Sequence, residues 1–159
     1  MLTRFVNCRH IITNEFNEKT LNLKRTEKTF SDKLRLEKGL IHELDYFKEL
    51  SKKYKKIKNI KDLKSLSKKE KIKETIKALK EGYELIYGGW LQSGKWSGEL
   101  DFLEINKDLK SNLGNWSYEV TDTKNSATVK GDHVYQVGLY CFLLKETQGI
   151  LPNNFYILL

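Results

Sequence analysis

Apolar residues recur at the spacing of an α-helix in four parts of the chain. These parts are residues 2–18, 36–54, 67–81 and 132–147. The spacing places the apolar side chains on one side of each segment, which predicts four helical regions. We expect a break in the first near Cys8, and a polar connection over residues 19–32. Ser31 or Asp32 is the expected N-cap of the second helix. Gly82 is well suited to end the third.

Aromatic and branched residues dominate the part of the chain between the third and fourth helices. They form three consecutive segments, residues 83–91, 96–105 and 116–124. Gly94 and the Asn112, Gly114 and Asn115 cluster separate these segments, which predicts antiparallel strands joined by turns. A last apolar segment, residues 155–159, predicts a further strand. The order of helices, three strands, helix and strand predicts an α/β fold in which helices back a mixed sheet.

A length of 159 residues fits one domain, which we place at residues 1–159. The sequence stops inside an apolar strand, so we expect this domain to continue beyond its C-terminal end. The longest apolar run, residues 139–144, is far too short to cross a membrane, and no stretch at the N-terminus resembles a signal peptide. With two distant cysteines and no disulfide framework, we expect a cytoplasmic protein without a membrane partner.

The net charge of +8 comes from an excess of lysine. Thirteen lysines and three acidic residues fall within residues 52–80, whose middle we interpret as a loop or a frayed helix end. A basic protein favours polyanions, because neutralised phosphates release their condensed counterions. A general compositional bias towards lysine explains the same charge, so charge alone does not identify a nucleic-acid partner.

Chemistry is concentrated near the end of the third predicted strand. Asp122 and Lys124 are two residues apart, so their side chains project to the same side of that strand. The carboxylate can hold a divalent cation, and the ammonium can position a water or offset charge on a phosphate. A surface ion pair is the alternative interpretation of this spacing.

A second carboxylate interrupts the preceding apolar strand at Asp101. Neighbouring strands can bring it close to Asp122, and one or two carboxylates are the usual protein ligands of Mg²⁺. The alternative is that Asp101 faces solvent. In the helices, His42 could complete a metal site or bind a phosphate, and Gln136 and Tyr140 are spaced to lie on one helix face. Each of these three residues is also compatible with an ordinary structural role.

Taken in chain order, these residues resemble the motif set of the RecB-like PD-(D/E)XK nucleases: His42, Gly98-x-x-Asp101, Asp122-x-Lys124 and Gln136-x-x-x-Tyr140. Flanking segments resemble a bacterial family of RecB-like nucleases that precede an RNase H-like module: Gly39–Glu43, Ile86–Gly89, Gly98–Leu103, Leu113–Val120 and Gln148-Gly149-x-x-Pro152. The resemblance covers nearly the whole chain. It implies a restriction-endonuclease-like core, with three antiparallel strands plus a further strand in a mixed sheet flanked by helices.

The resemblance also implies roles for individual residues. Asp101 and Asp122 would ligate a catalytic Mg²⁺ or Mn²⁺, with His42 and the backbone carbonyl of Thr123 as additional ligands. Lys124 would be the catalytic lysine. The predicted supporting residues are Gln136 and Tyr140, with Glu43 as a further candidate. Glu119 lies on the opposite face of its strand from Asp122, so we expect it to be structural or to support the site from a distance.

The implied reaction is metal-dependent hydrolysis of DNA phosphodiester bonds, in recombination or repair, and single-stranded and double-stranded DNA both stay open as substrates. A downstream RNase H-like or helicase module is the implied protein partner. Some relatives hold an iron–sulfur cluster with four cysteines; Cys8 matches the first position, but the other three are missing, so we expect no cluster from this chain alone. Two alternatives stay open: a non-catalytic nucleic-acid-binding module, and an incomplete fragment of a larger nuclease or helicase.

Overall fold

The chain folds as an α/β protein in which helices flank a five-stranded mixed sheet. This computed structural model describes residues 2–24 and 26–159, with side chains from residue 4 onward. The helices are α1 (Leu2–Asn7), α2 (Arg9–Asn17), α3 (Phe30–Lys53), α4 (Lys68–Lys80) and α5 (Gly131–Gln148). The strands are β1 (Ile57–Asn59), β2 (Leu85–Ser93), β3 (Trp96–Asn106), β4 (Ser117–Thr123) and β5 (Phe155–Leu158).

The strands lie in the sheet in the order in which they occur in the chain. β2, β3 and β4 form an antiparallel meander, β1 pairs parallel to β2, and β5 pairs parallel to β4 after the crossover through α5. The three predicted antiparallel strands and the final strand are therefore confirmed. β1 was not predicted, because its three residues lie among lysines and carry no alternating pattern.

Capping residues set the helix boundaries more precisely than apolar spacing does. The expected break near Cys8 is confirmed, since this residue has an extended backbone between α1 and α2. The expected cap of α3 at Ser31 or Asp32 was wrong. Thr29 is the N-cap: its hydroxyl accepts the Asp32 amide at 3.2 Å, and the Asp32 carboxylate accepts the Thr29 amide at 3.0 Å. This reciprocal capping box starts the helix ahead of its apolar stripe, where Phe30 is 82% exposed.

Two apolar cores lie on opposite faces of the sheet. The larger one packs α4 and α5 against the sheet through residues such as Leu79, Leu144 and Val120. The smaller one packs α3 against β2 and β3, and there Phe47, Tyr87 and Phe102 stack with centroid distances of 4.4 and 5.0 Å. Within the described part of the chain, no helix is both long and apolar enough to cross a membrane.

Candidate active site

Asp101 and Asp122 are brought together by the pairing of β3 with β4. The register pairs Phe102 with Thr121, which places the residue before Phe102 opposite the residue after Thr121. Asp101 is partly buried, and its Oδ2 accepts hydrogen bonds from both the amide and the hydroxyl of Thr123, each at 2.9 Å. Two carboxylates from neighbouring strands therefore share one region, as the sequence predicts. Thr123 donates hydrogen bonds here, and its carbonyl stays a predicted metal ligand.

The regular alternation of side chains between the two faces of the sheet is interrupted at Asp101. Leu100 and Leu103 both belong to the larger core although they are three residues apart, so side chains change sides between them. Opposite this point, Gly88 has a φ of +68° and is skipped in the pairing of β2 with β3. A β-carbon there would overlap the side chain of Lys61. Glycine is therefore required at position 88. The interrupted alternation places Asp101 at an irregular point of the sheet.

Asp122 is a buried carboxylate with an incomplete set of partners. The residue is 1% exposed, and its Oδ2 forms a close ion pair with the Lys124 ammonium. That contact is not oriented as a hydrogen bond, and no other described group donates to this oxygen. Burial and the neighbouring charge of Asp101 raise the pKa of Asp122 to about 6, although Lys124 opposes the shift. A buried carboxylate oxygen without an oriented donor is well suited to bind a cation.

The raised pKa of Asp122 predicts that the wild type loses stability relative to Asp122→Asn as pH rises. The folded protein holds this proton more tightly than the unfolded chain, whose pKa is near 3.8. The Asp122 carboxyl therefore makes its full contribution to stability below pH 3.8, and this contribution is lost as pH rises through about 6. We expect a relative loss on the order of 1–3 kcal/mol between pH 4 and 7. Urea unfolding in EDTA at both pH values measures it.

The matched control for this prediction is Asp45→Asn. Asp45 is an exposed carboxylate that also pairs with a lysine, Lys48, at 2.7 Å. Because solvent screens that pair, its removal should leave the pH dependence close to that of the wild type. An Asp122→Asn variant whose stability difference from the wild type is the same at pH 4 and pH 7 would contradict the buried, costly carboxylate.

Helix α5 brings a phenol to the two carboxylates. Gln136 Nε2 donates to Tyr140 Oη at 2.6 Å, so the predicted pair is in contact. Burial raises the pKa of Tyr140, and the charges of Asp122 and Asp101 raise it further, which keeps the phenol protonated. Its ring packs against the backbone of Gly98, where a β-carbon would lie 2.5 Å from Tyr140 Cε1. The glycine of the Gly98-x-x-Asp101 motif thus makes room for this aromatic ring.

Gly98→Ala is expected to destabilise the protein by about 1–3 kcal/mol, the usual cost of forcing an extra methyl group into a packed core. The methyl group would meet the ring of the buried Tyr140, which has little room to move. Urea unfolding measures the change. Gly138→Ala in α5 is the control, because a β-carbon there meets nothing within 4 Å, and it should be neutral or stabilising. Equal stability of Gly98→Ala and wild type would show that the ring does not fill this space.

Sequence reasoning missed Lys61 and Glu99. Lys61 follows β1; its ammonium pairs with Glu43 and lies 5.0 Å from the ring centroid of Tyr87. Burial raises the pKa of Glu99, while Lys61 and Lys71 oppose the shift and Asp101 adds to it. Glu43, the further candidate, therefore lies beside the site as the partner of Lys61. Lys61 gave no signal because it is one of many lysines in its segment, whereas Glu99 could have been noted two residues before Asp101.

His42 lies near Lys124, the partner of Asp122, whereas Glu119 has polar partners of its own. His42 lines an open pocket of about 380 Å³ with Lys124, and its buried Nε2 has no hydrogen-bond partner among the described residues. Glu119 accepts hydrogen bonds from Asn106, Asn154 and Tyr156 at 3.1–3.3 Å, which is the structural role expected of it. In residues 2–24 and 26–159, no three His, Cys, Asp or Glu side chains are grouped to hold one ion. Metal ligation by His42 stays a prediction.

The carboxylate pair alone is compatible with a hard divalent cation. Mg²⁺ commonly takes one or two protein carboxylates and completes its shell with water and phosphate oxygens. Asp101 and Asp122 supply that number, and a cation would compete with the Lys124 ammonium for Oδ2 of Asp122. Comparisons of the chain with protein-family models, with curated proteins and with solved structures found no match. Any functional proposal therefore rests on the geometry of these residues and on the sequence resemblance.

Proposed function

We propose that this protein is a metal-dependent nuclease of the PD-(D/E)XK type, in its RecB-like branch, that hydrolyses DNA phosphodiester bonds. One observation carries the proposal: Asp122 is buried beside Asp101 and paired with Lys124. Burying the Asp122 carboxylate beside a second, partly buried carboxylate costs free energy that a partly exposed lysine offsets only in part, so a purely structural role explains the group poorly. The meander of three antiparallel strands, followed by a helix and a parallel strand, supports the same proposal.

Asp101 and Asp122 would hold Mg²⁺ or Mn²⁺, with His42 and the Thr123 carbonyl as further predicted ligands. When bound, such an ion polarises a phosphate and lowers the pKa of a water. The Asp122 carboxylate would then interact with both the ion and Lys124, and the Lys124 ammonium would become available to the substrate. Lys124 lies within reach of the carboxylates and is only partly exposed, so its charge acts with little screening.

Lys124 and Tyr140 have different tasks in this proposal. The ammonium of Lys124 orients the attacking water and offsets the charge that develops on the phosphate. Tyr140 is a neutral phenol that accepts a hydrogen bond from Gln136 and packs against Gly98. These contacts hold the phenol near Asp101 and Asp122, in keeping with the supporting role that the resemblance implies.

One observation favours the alternative of a non-catalytic nucleic-acid-binding module. Lys124 already neutralises Asp122, as it would if the pair were only structural. A module of this kind would bind nucleic acid equally well in EDTA and in Mg²⁺, and it would cleave neither strand. The response to metal therefore distinguishes the two functions: a nuclease needs the metal for cleavage, and a binding module does not need it to bind.

The experiment that tests the proposed function is cleavage of end-labelled single-stranded and double-stranded DNA, with a labelled RNA of the same sequence alongside. Each substrate is incubated with the wild type in Mg²⁺, in Mn²⁺ or in EDTA. We expect cleavage of DNA with either metal and none in EDTA. A folded protein that cleaves no DNA under any of these conditions, or that cleaves equally well in EDTA, would overturn the proposal.

A further inference from the structure

We propose that the groove between the β2–β3 hairpin and α5 binds single-stranded nucleic acid, with an unpaired base stacked on Trp96. This inference rests on the proposed function and adds the substrate class to it. The groove is an open cavity of about 600 Å³. Its lining includes Gly98, Glu99, Gln136 and Tyr140, all of which belong to the candidate active site or contact it.

Trp96 is the feature of the groove that points to a base. Its side chain stands at the start of β3 and is 48% exposed, which leaves a large flat apolar surface in water. Trp90 from β2 lines the same groove and is partly buried. Aromatic side chains of this kind stack on unpaired bases without regard to sequence, because every base has a π face. The base of an intact duplex cannot present that face.

Positive charge lies beside the aromatic surface. The Lys68 ammonium is 5.2 Å from the centroid of the Trp90 ring and within 2.5 Å of Ser97 Oγ, which holds it at the groove. Lys95 also lines the groove, next to Trp96 in sequence. Lysines that alternate with aromatic rings match a strand of phosphates and bases.

Glu99 is the carboxylate among the residues that line this groove. It lies two residues before Asp101, and the charge of Asp101 acts on it. The groove therefore adjoins the carboxylates that would hold the metal and is lined by aromatic rings and lysines as well. A strand seated on Trp96 would be led along β3 towards the phosphate-cleaving residues.

Fluorescence anisotropy of a labelled 12-nucleotide oligo-dT and of a 12-base-pair duplex, both in EDTA, tests this inference. Trp96→Ala should weaken oligo-dT binding about tenfold, the effect typical of losing one stacked base, and should change duplex binding less than twofold. Trp96→Phe, which keeps an aromatic face, should restore most of the affinity. Phe16→Ala removes an exposed aromatic residue outside the groove and should leave both affinities unchanged.

Three outcomes would overturn the inference: no binding of oligo-dT by the wild type, unchanged binding by Trp96→Ala, or equal weakening for oligo-dT and duplex. The last result would indicate a general phosphate-binding surface. The assay needs neither metal nor cleavage, so its failure is separate from failure of the proposed function. If the protein cleaves DNA but binds oligo-dT independently of Trp96, only the proposed binding groove is refuted. If Trp96→Ala weakens oligo-dT binding but the wild type cleaves no DNA, only the proposed nuclease activity is refuted.

Discussion

Asp122→Asn is expected to lower the rate of metal-dependent DNA cleavage by at least roughly 10²–10³-fold, the loss typical of removing one group that stabilises developing charge. Asparagine keeps the shape of the side chain but removes the negative charge. It also leaves the Lys124 ammonium without its partner. Both consequences act at the same point, because Asp122 is the buried member of the carboxylate pair. Single-turnover cleavage of labelled DNA in saturating Mn²⁺ measures the rate.

The control for Asp122→Asn is again Asp45→Asn, which removes an exposed, lysine-paired carboxylate of α3 and should retain the wild-type rate. Both variants should be prepared in parallel with the wild type, so that a contaminating nuclease appears in all three. Thermal unfolding of the variants and the wild type in the assay buffer shows that each is folded, so that a loss of folding is distinguished from a loss of activity. Retention of the wild-type rate by Asp122→Asn would contradict the assignment of this site.

Lys124→Met is expected to reduce cleavage by about 10²-fold while Mn²⁺ binding is retained. Methionine removes the charge and keeps an unbranched chain in the partly buried space. Lys124 pairs with Asp122 in the structure, so removing it takes away a competitor of the cation for that carboxylate. The affinity for Mn²⁺ should therefore stay the same or rise as the rate falls. Rates come from single-turnover cleavage and affinities from calorimetric titration of Mn²⁺.

A matched control is Lys48→Met, which removes the exposed lysine of the Asp45 pair and should change neither quantity. The combination of lost cleavage with retained metal binding separates a lysine that acts on the substrate from one that only holds the fold. Parallel loss of Mn²⁺ binding, cleavage and thermal stability in Lys124→Met would instead assign Lys124 a structural role.

The sheet meander could be predicted from the sequence because its signals are local. Glycine and asparagine turns separate its strands, and each strand is rich in aromatic and branched residues. The start of α3 and the existence of β1 could not be predicted in the same way. Thr29 caps α3 through a hydrogen bond to Asp32, three residues on, and β1 exists because its three residues pair with β2. Neither interaction leaves a periodic pattern.

The candidate site also combines features that the sequence could predict with features that it could not. That Asp101 and Asp122 lie close to each other follows from placing their motifs on adjacent strands. The burial of Asp122 depends on how α5 packs against the sheet, a distant contact that spacing does not report. Lys61 reaches the site because Gly88 leaves room for it. A single lysine in a lysine-rich stretch acquires significance only when the fold places it.

The most direct test of the central claim, that Asp101 and Asp122 form one divalent-cation site, is an electron paramagnetic resonance titration of Mn²⁺. It compares the wild type with the Asp101→Asn/Asp122→Asn double variant. We expect the free Mn²⁺ signal to fall on addition of wild-type protein and to stay unchanged with the double variant, and Mg²⁺ should restore the signal in the wild type. Equal binding by both proteins, or no binding by a folded wild type, would contradict the site and the nuclease proposed from it.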